Sequence, residues 1–175
     1  TKAWKRETRD AEWVIGDTLN ASIGQGFVLA SPLQLAVMTA RIASGTAIGP
    51  RMVRAIDGVE QPVLRGAPLD IDPVHLEVVR RGMFEVVNAQ GGTAGSSRID
   101  AEGALMAGKT GTSQVRNITA AERAAGVLSN ADLPWERRDH ALFVAFAPTD
   151  APQLAVSVVV EHGEGGSTAA APIAR

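Results

Sequence analysis

Apolar residues recur at helical spacing in two stretches of the chain and alternate with smaller residues in its last third. The first periodic stretch predicts a helix from about Pro32 to Ala43. Ser31-Pro32-Leu33-Gln34 reads as a capping box, with serine at the N-cap, proline at the first helical position and glutamine at the third. Leu33, Ala36, Val37 and Ala40 give this helix a small apolar face suited to close packing, and Gly45 stops it. The second stretch predicts a helix capped by Asp72 and opened by Pro73. There Val79, Met83, Val86 and Val87 recur at helical spacing up to Asn88, ahead of the Gly91-Gly92 turn.

In the last third, Leu142, Val144 and Phe146 alternate with smaller residues before Pro148, and Leu154 to Glu161 is rich in valine. Two strands joined by the Pro148 to Pro152 turn form an antiparallel hairpin on this pattern, and Gly108 to Arg116 supplies a third strand. Residues 117–138 read as a long connection, a kind of segment that is often functional. Residues 1–20 carry Trp4 and Trp13 without a sustained period and read as an irregular lead-in. Residues 46–72, with the apolar pairs Met52-Val53 and Val63-Leu64, suit a loop with one short hairpin. Gly163 to Gly166 reads as a flexible turn before a terminal helix. The fold class expected is α+β, three antiparallel strands with packed helices, with no domain boundary evident.

Composition narrows the function classes. The 175 residues are 45% apolar and 21% charged, enough for one substantial core. A formal charge of -2 with scattered basic residues gives no cationic footprint for nucleic acid, so no nucleic-acid partner is expected. The longest apolar runs fall far short of the roughly 20 residues that span a bilayer. There is no cysteine, hence no disulfide and no thiolate site. His75, His140 and His162 show no metal-ligand spacing and are read as structural, so neither metal nor cofactor is implied. The chain opens at Thr1 rather than Met and stops at Arg175, just after an alanine-rich run resembling the start of a helix, so a fragment is expected.

Gly103-Ala-Leu-Met-Ala-Gly-Lys-Thr110 fits the phosphate-loop pattern, but the context contradicts it. A phosphate loop follows a buried strand and opens a helix, whereas Ser97 to Glu102 is polar and the residues after Lys109 have strand propensity. The same residues contain Lys109-Thr110-Gly111-Thr112. Alternate strand residues point the same way, so Thr110 and Thr112 present two hydroxyls on one face, and Ser113 faces away. Gly111 lets a ligand backbone lie close to the strand, and Lys109 adds positive charge. This combination suits an extended peptide that ends in a carboxylate.

Lys-Thr-Gly is one of the motifs of penicillin-binding proteins and class A β-lactamases. With it stand Ser22-Ile-Gly-Gln-Gly-Phe-Val-Leu-Ala-Ser-Pro-Leu-Gln-Leu-Ala36, Gly91-Gly92-Thr93-Ala94 and His140-Ala-Leu-Phe-Val-Ala-Phe-Ala-Pro148, in order. From about Trp13 to Arg175 the chain resembles the class B penicillin-binding proteins, most closely the elongation type. The resemblance implies the C-terminal part of a transpeptidase domain with the penicillin-binding protein and serine β-lactamase fold, spanning residues 1–175. It implies a serine acylated by the D-Ala-D-Ala end of a peptidoglycan stem peptide, or by a β-lactam, in a periplasmic domain of an inner-membrane-anchored protein that shapes the cell wall. A lipid-II glycosyltransferase of the elongation machinery is the implied partner.

By the same resemblance, Lys109 assists the carboxylate and proton traffic, and Thr110 and Thr112 hold the carboxylate. Gly111 keeps the strand open to substrate, and the Thr112 N–H is an oxyanion-hole donor. The family's Ser-x-x-Lys and Ser-x-Asn motifs do not occur in these residues: the lysines are Lys2, Lys5 and Lys109, and Thr18-Leu19-Asn20 is the nearest approach to the second motif. The nucleophile is therefore expected outside this stretch, and the stretch alone is expected to be inactive. The alternative is a non-catalytic module that binds peptide, or itself, through an open strand edge.

Overall fold

The computed structural model describes residues 1–62, 66–101, 103–116 and 118–175. Val63, Leu64, Glu102 and Asn117, on which some sequence expectations fall, lie outside the described residues. The chain divides into two compact units, Thr1–Ser31 and Pro32–Arg175, a division the sequence pattern did not reveal.

The first unit holds two helices where an irregular lead-in was expected, α1 (Lys2–Arg9) and α2 (Ile15–Ser22). The correction has a physical cause. Lys, Ala, Arg and Glu are strong helix formers, so α1 needs no apolar stripe once the Thr1 hydroxyl accepts the Trp4 N–H. Lys5 Nζ reaches Asp17 Oδ2 at 2.6 Å with both side chains nearly buried, tying the two helices together. The Lys5 hydrogen bond, helped by the Val14 N–H, holds the Asp17 carboxyl below its ordinary value. The pair is intact at neutral pH and is lost as acid protonates that carboxyl.

The second unit is a three-stranded antiparallel sheet with helices packed on both faces. Helix α3 (Pro32–Ser44) ends at Gly45, whose φ of 72° and N–H to Arg41 O bond close its last turn. Burial centres on Thr39 and Ala43, while Leu33, expected inside, is 55% exposed. A two-residue hairpin, β1 (Ala55–Ile56) and β2 (Val59–Glu60), turns at Asp57-Gly58, where both residues have positive φ.

Helix α4 (Pro73–Asn88) is opened by Asp72, whose Oδ1 accepts the Val74 N–H at 2.9 Å. Its buried stripe is Leu76, Met83 and Val87, and Val79 faces out instead. Arg80 Nε donates to Ile42 O at 2.7 Å and ties α4 to α3. This tertiary contact, rather than apolar periodicity alone, selects the face that is covered.

The sheet order is β3 (Ala107–Ser113), β4 (His140–Ala147), β5 (Leu154–Val160). Strand β3 stops at Ser113, three residues short of the expected end at Arg116. Period-2 alternation splits β4 between two cores. Ala141, Phe143 and Ala145 join Val87, Ala94, Met106, Ala170 and Ala171 in one core, and Phe146 joins Ala43, Met83 and Ala107 in the other.

The connection across 117–138 holds α5 (Ala120–Ala125), opened by a Thr119/Glu122 capping box, where a connection without a helix was expected. A turn of π-helix, Gly166–Ala170, leads into α6 (Ala171–Ala174) against β4, close to the expected terminal helix.

Candidate active site

Strand β3 is paired with β4 on one side only and forms one edge of the described sheet. Its register sets Lys109 opposite Val144, Thr110 opposite Phe143, Gly111 opposite Leu142, Thr112 opposite Ala141 and Ser113 opposite His140. Lys109 and Thr112 are exposed, and Thr110 and Gly111 are half-buried. Lys109 Nζ donates to the Thr110 carbonyl at 2.7 Å. A lysine ammonium reaches that carbonyl from outside the β4 ladder, which puts it on the open edge. Successive residues of an antiparallel strand alternate between edges, so the Thr112 backbone shares the edge of Thr110, and Gly111 bonds toward β4. Ser113 lies on the other face of the sheet from both threonines, as expected.

With Lys109 inside a strand and no helix following Thr110, the phosphate-loop geometry is absent. His140 and His162 pair with each other: the His162 N–H donates to His140 Nδ1 at 2.9 Å, and His162 Nδ1 lies 2.9 Å from Arg138 O. A carbonyl only accepts, so this ring nitrogen carries the hydrogen. The Nδ1 atom of each imidazole is thus engaged within the fold.

Two close approaches to β3 were not legible in the sequence. Thr93 Oγ1 lies 3.3 Å from Thr110 Oγ1, bringing the Gly91-Gly92-Thr93 turn to the motif. Gly166 rests on the Gly111–Leu142 backbone pair, where an added Cβ would stand 2.3 Å from Leu142 O and 2.7 Å from Gly111 O. The expected flexible turn is thus fitted to the strand. Its neighbours are held too, by Glu164 N–H to Asp139 O at 2.9 Å and by the Arg138–Glu164 ion pair at 3.1 Å.

Gly166→Ala is expected to destabilise the fold by about 1–3 kcal/mol, because the obstructing atoms are ladder backbone and cannot rotate away. Gly82→Ala, with nothing within 4 Å of the new Cβ, is the control and gains about 0.5–1 kcal/mol of helix propensity. Denaturant unfolding of the two variants measures both. Equal stabilities would show that Gly166 does not need its missing side chain.

Beyond Ser113 a cavity of ≈ 270 Å³ is lined by Gln114, Arg116, Asn130, Leu133 and Asp139 among others. Arg116 meets Glu122 at 2.6 Å on its rim. The Thr119 N–H, then Arg116, hold the Glu122 carboxyl below the usual carboxylate range, so the pair is intact at neutral pH and is lost in acid.

Helices packed on an antiparallel sheet whose outer strand carries Lys-Thr-Gly define the class, the transpeptidase fold of penicillin-binding proteins. The profile of the penicillin binding protein transpeptidase domain matches residues 5–175, and the chain belongs to that family. Peptidoglycan D,D-transpeptidase MrdA of Haemophilus influenzae is 39% identical over 181 residues, covering 100% of this chain and 27% of that protein. MrdA of Acinetobacter baumannii is 39% identical over 176 residues, covering 95% of this chain and 25% of that protein.

Among solved structures, Pseudomonas aeruginosa PBP2 in complex with WCK 5153 superposes with a TM-score of 0.77 at 39% identity, covering 99% of this chain and 34% of that one. PBP2 of Helicobacter pylori, solved in complex with MreC, gives 0.77 at 35% identity, over 99% of this chain and 28% of that one. The chain spans about a quarter of the length of the curated relatives it matches. The expected family and α+β fold class are both borne out.

Proposed function

We propose that residues 1–175 act as part of the catalytic domain of a serine-type peptidoglycan D,D-transpeptidase, supplying the wall that binds the substrate carboxylate and the acyl oxygen. The observation that carries this reading is that β3, the outer strand of the described sheet, holds Lys109, Thr110, Gly111 and Thr112 in one run. In the reaction, a serine Oγ from outside this stretch attacks the carbonyl carbon of the penultimate D-Ala. The amide bond to the terminal D-Ala breaks and an ester forms. An amine of a neighbouring stem then attacks the ester, forming the cross-link and releasing the serine.

Each group has a distinct task in this reading. The Lys109 ammonium draws in the terminal carboxylate and lowers the energy of proton transfer near it. The Thr110 and Thr112 hydroxyls hold that carboxylate, and Gly111 keeps a side chain away from the bound peptide. The Thr112 N–H stabilises the negative oxygen of the tetrahedral intermediate. A β-lactam, which carries an anion at the equivalent place, acylates the same serine.

The relatives are named peptidoglycan D,D-transpeptidase MrdA and PBP2, and the proposal extends to an elongation-type enzyme that acts in maintaining cell shape. On this reading it is anchored in the inner membrane, places this domain in the periplasm and works beside a lipid-II glycosyltransferase. Labelling with a fluorescent penicillin tests the assignment. The longer transpeptidase carrying this sequence is expected to form one covalent adduct per molecule, and residues 1–175 alone are expected to form none. A stable one-to-one adduct on residues 1–175 would overturn the placement of the nucleophile outside them.

A further inference from the structure

We propose that Thr93 is a positioning residue for carboxylate recognition: its hydroxyl donates to Thr110 Oγ1 and so directs the Thr110 hydrogen at the substrate anion. The inference rests on the proposed role of Thr110 and extends it to a residue outside the motif strand. Thr93 stands between two fixed neighbours. Gly92 folds back over the end of α4 so closely that a Cβ would lie 2.5 Å from Val86 O. Ala94 is fully buried and its N–H donates to Val86 O at 2.9 Å. On the other side, Asn88 Nδ2 donates to Met106 O at 2.9 Å, fastening the end of α4 to the entry of β3. The backbones that carry Thr93 and Thr110 are thus held by fixed elements, and on them the two Oγ1 atoms stand 3.3 Å apart.

The direction of the bond follows from the hydroxyl inventory. Each threonine has one hydrogen and two lone pairs. If Thr110 donated to Thr93, its only hydrogen would be used and its lone pairs would face a carboxylate. If Thr93 donates, the Thr110 hydrogen remains for the anion, and each bond polarises the other. A carboxylate drawing on that hydrogen makes Thr110 Oγ1 a better acceptor, so the 3.3 Å separation is expected to shorten when substrate binds.

The test uses the longer transpeptidase carrying this sequence and two acylating probes, a penicillin with its free carboxylate and the methyl ester of the same penicillin. Stopped-flow acylation rates are compared for Thr93→Val, Thr93→Ser, Thr110→Val and the Thr93→Val/Thr110→Val pair. Thr93→Val is expected to slow the carboxylate probe about five- to tenfold and to leave the ester rate unchanged, with Thr93→Ser restoring the loss. The double variant is expected to be no slower than Thr110→Val, because Thr93 acts through Thr110.

An equal loss on both probes, or full addition of the two single losses in the double variant, overturns the positioning role. So does an unchanged Thr93→Val when Thr110→Val loses its preference for the carboxylate, a result that leaves the proposed function standing. If Thr110→Val itself keeps that preference, the reading beneath the inference fails instead. Should Thr93→Val not fold, Thr93→Ala with the same pair of probes gives the same readout.

Discussion

Replacing Thr112 with proline is expected to lower serine acylation by at least about 10²–10³ in the transpeptidase proposed above, since the loss of one proposed oxyanion donor is joined by that of a carboxylate-binding hydroxyl. The sheet is expected to remain folded. The Thr110 carbonyl is bonded by Lys109 Nζ at the open edge, and alternation gives Thr112 the same edge. Proline is tolerated in an edge strand when the N–H it removes points away from the ladder. Gly111→Pro makes the contrast, since its backbone bonds toward Leu142 and the substitution breaks the β3–β4 ladder. The measurement is the acylation rate with a labelled penicillin beside the circular dichroism spectrum of each variant. A Thr112→Pro enzyme that acylates at the parent rate would remove the Thr112 N–H from the oxyanion hole. A Gly111→Pro enzyme that folds normally would reverse the edge assignment.

The features legible in the sequence were those encoded by neighbours along the chain. Asp72 followed by Pro73 marked the start of α4, Gly45 marked the end of α3, and the alternation before Pro148 located β4. Helix α1 went unread because its signal is propensity and a threonine cap, with no apolar stripe to find. Helix α5 went unread because six residues hold less than two turns of periodicity, although its Thr119/Glu122 box was visible. The buried faces of α3 and α4 depend on the Arg80 to Ile42 bond between them, and no single-helix pattern contains it.

The site divides along the same line. Lys109-Thr110-Gly111-Thr112 is a local string, and strand context was enough to separate it from a phosphate loop. Thr93 and Gly166 reach β3 only because α4 folds back at Gly92 and the turn after β5 crosses the Gly111–Leu142 pair. Their partners are distant in sequence, and topology rather than periodicity brings them together.

Phe143→Ala is expected to cost about 3–5 kcal/mol, a large share of the roughly 5–15 kcal/mol that holds a typical domain. Phe143 is fully buried in the core shared by β4, the end of α4 and the terminal turn, and it stands opposite Thr110 in the sheet. Its ring also fills the space a side chain at position 108 would need: a Cβ on Gly108 would stand 2.4 Å from Phe143 Cζ. Gly108→Ala alone therefore forces the ring and β3 apart, whereas in the Phe143→Ala background the new methyl group enters the vacated space. Denaturant unfolding of the two single variants and the double variant is expected to show strong coupling, with the double variant more stable than the summed losses require. Because Gly108 directly precedes Lys109, the same relief is expected to restore part of the acylation rate lost by Gly108→Ala. Additive stabilities would mean that the ring does not set the path of β3, and that the glycine before the motif is needed for the Val144 backbone instead, whose oxygen lies 2.8 Å from the same Cβ position.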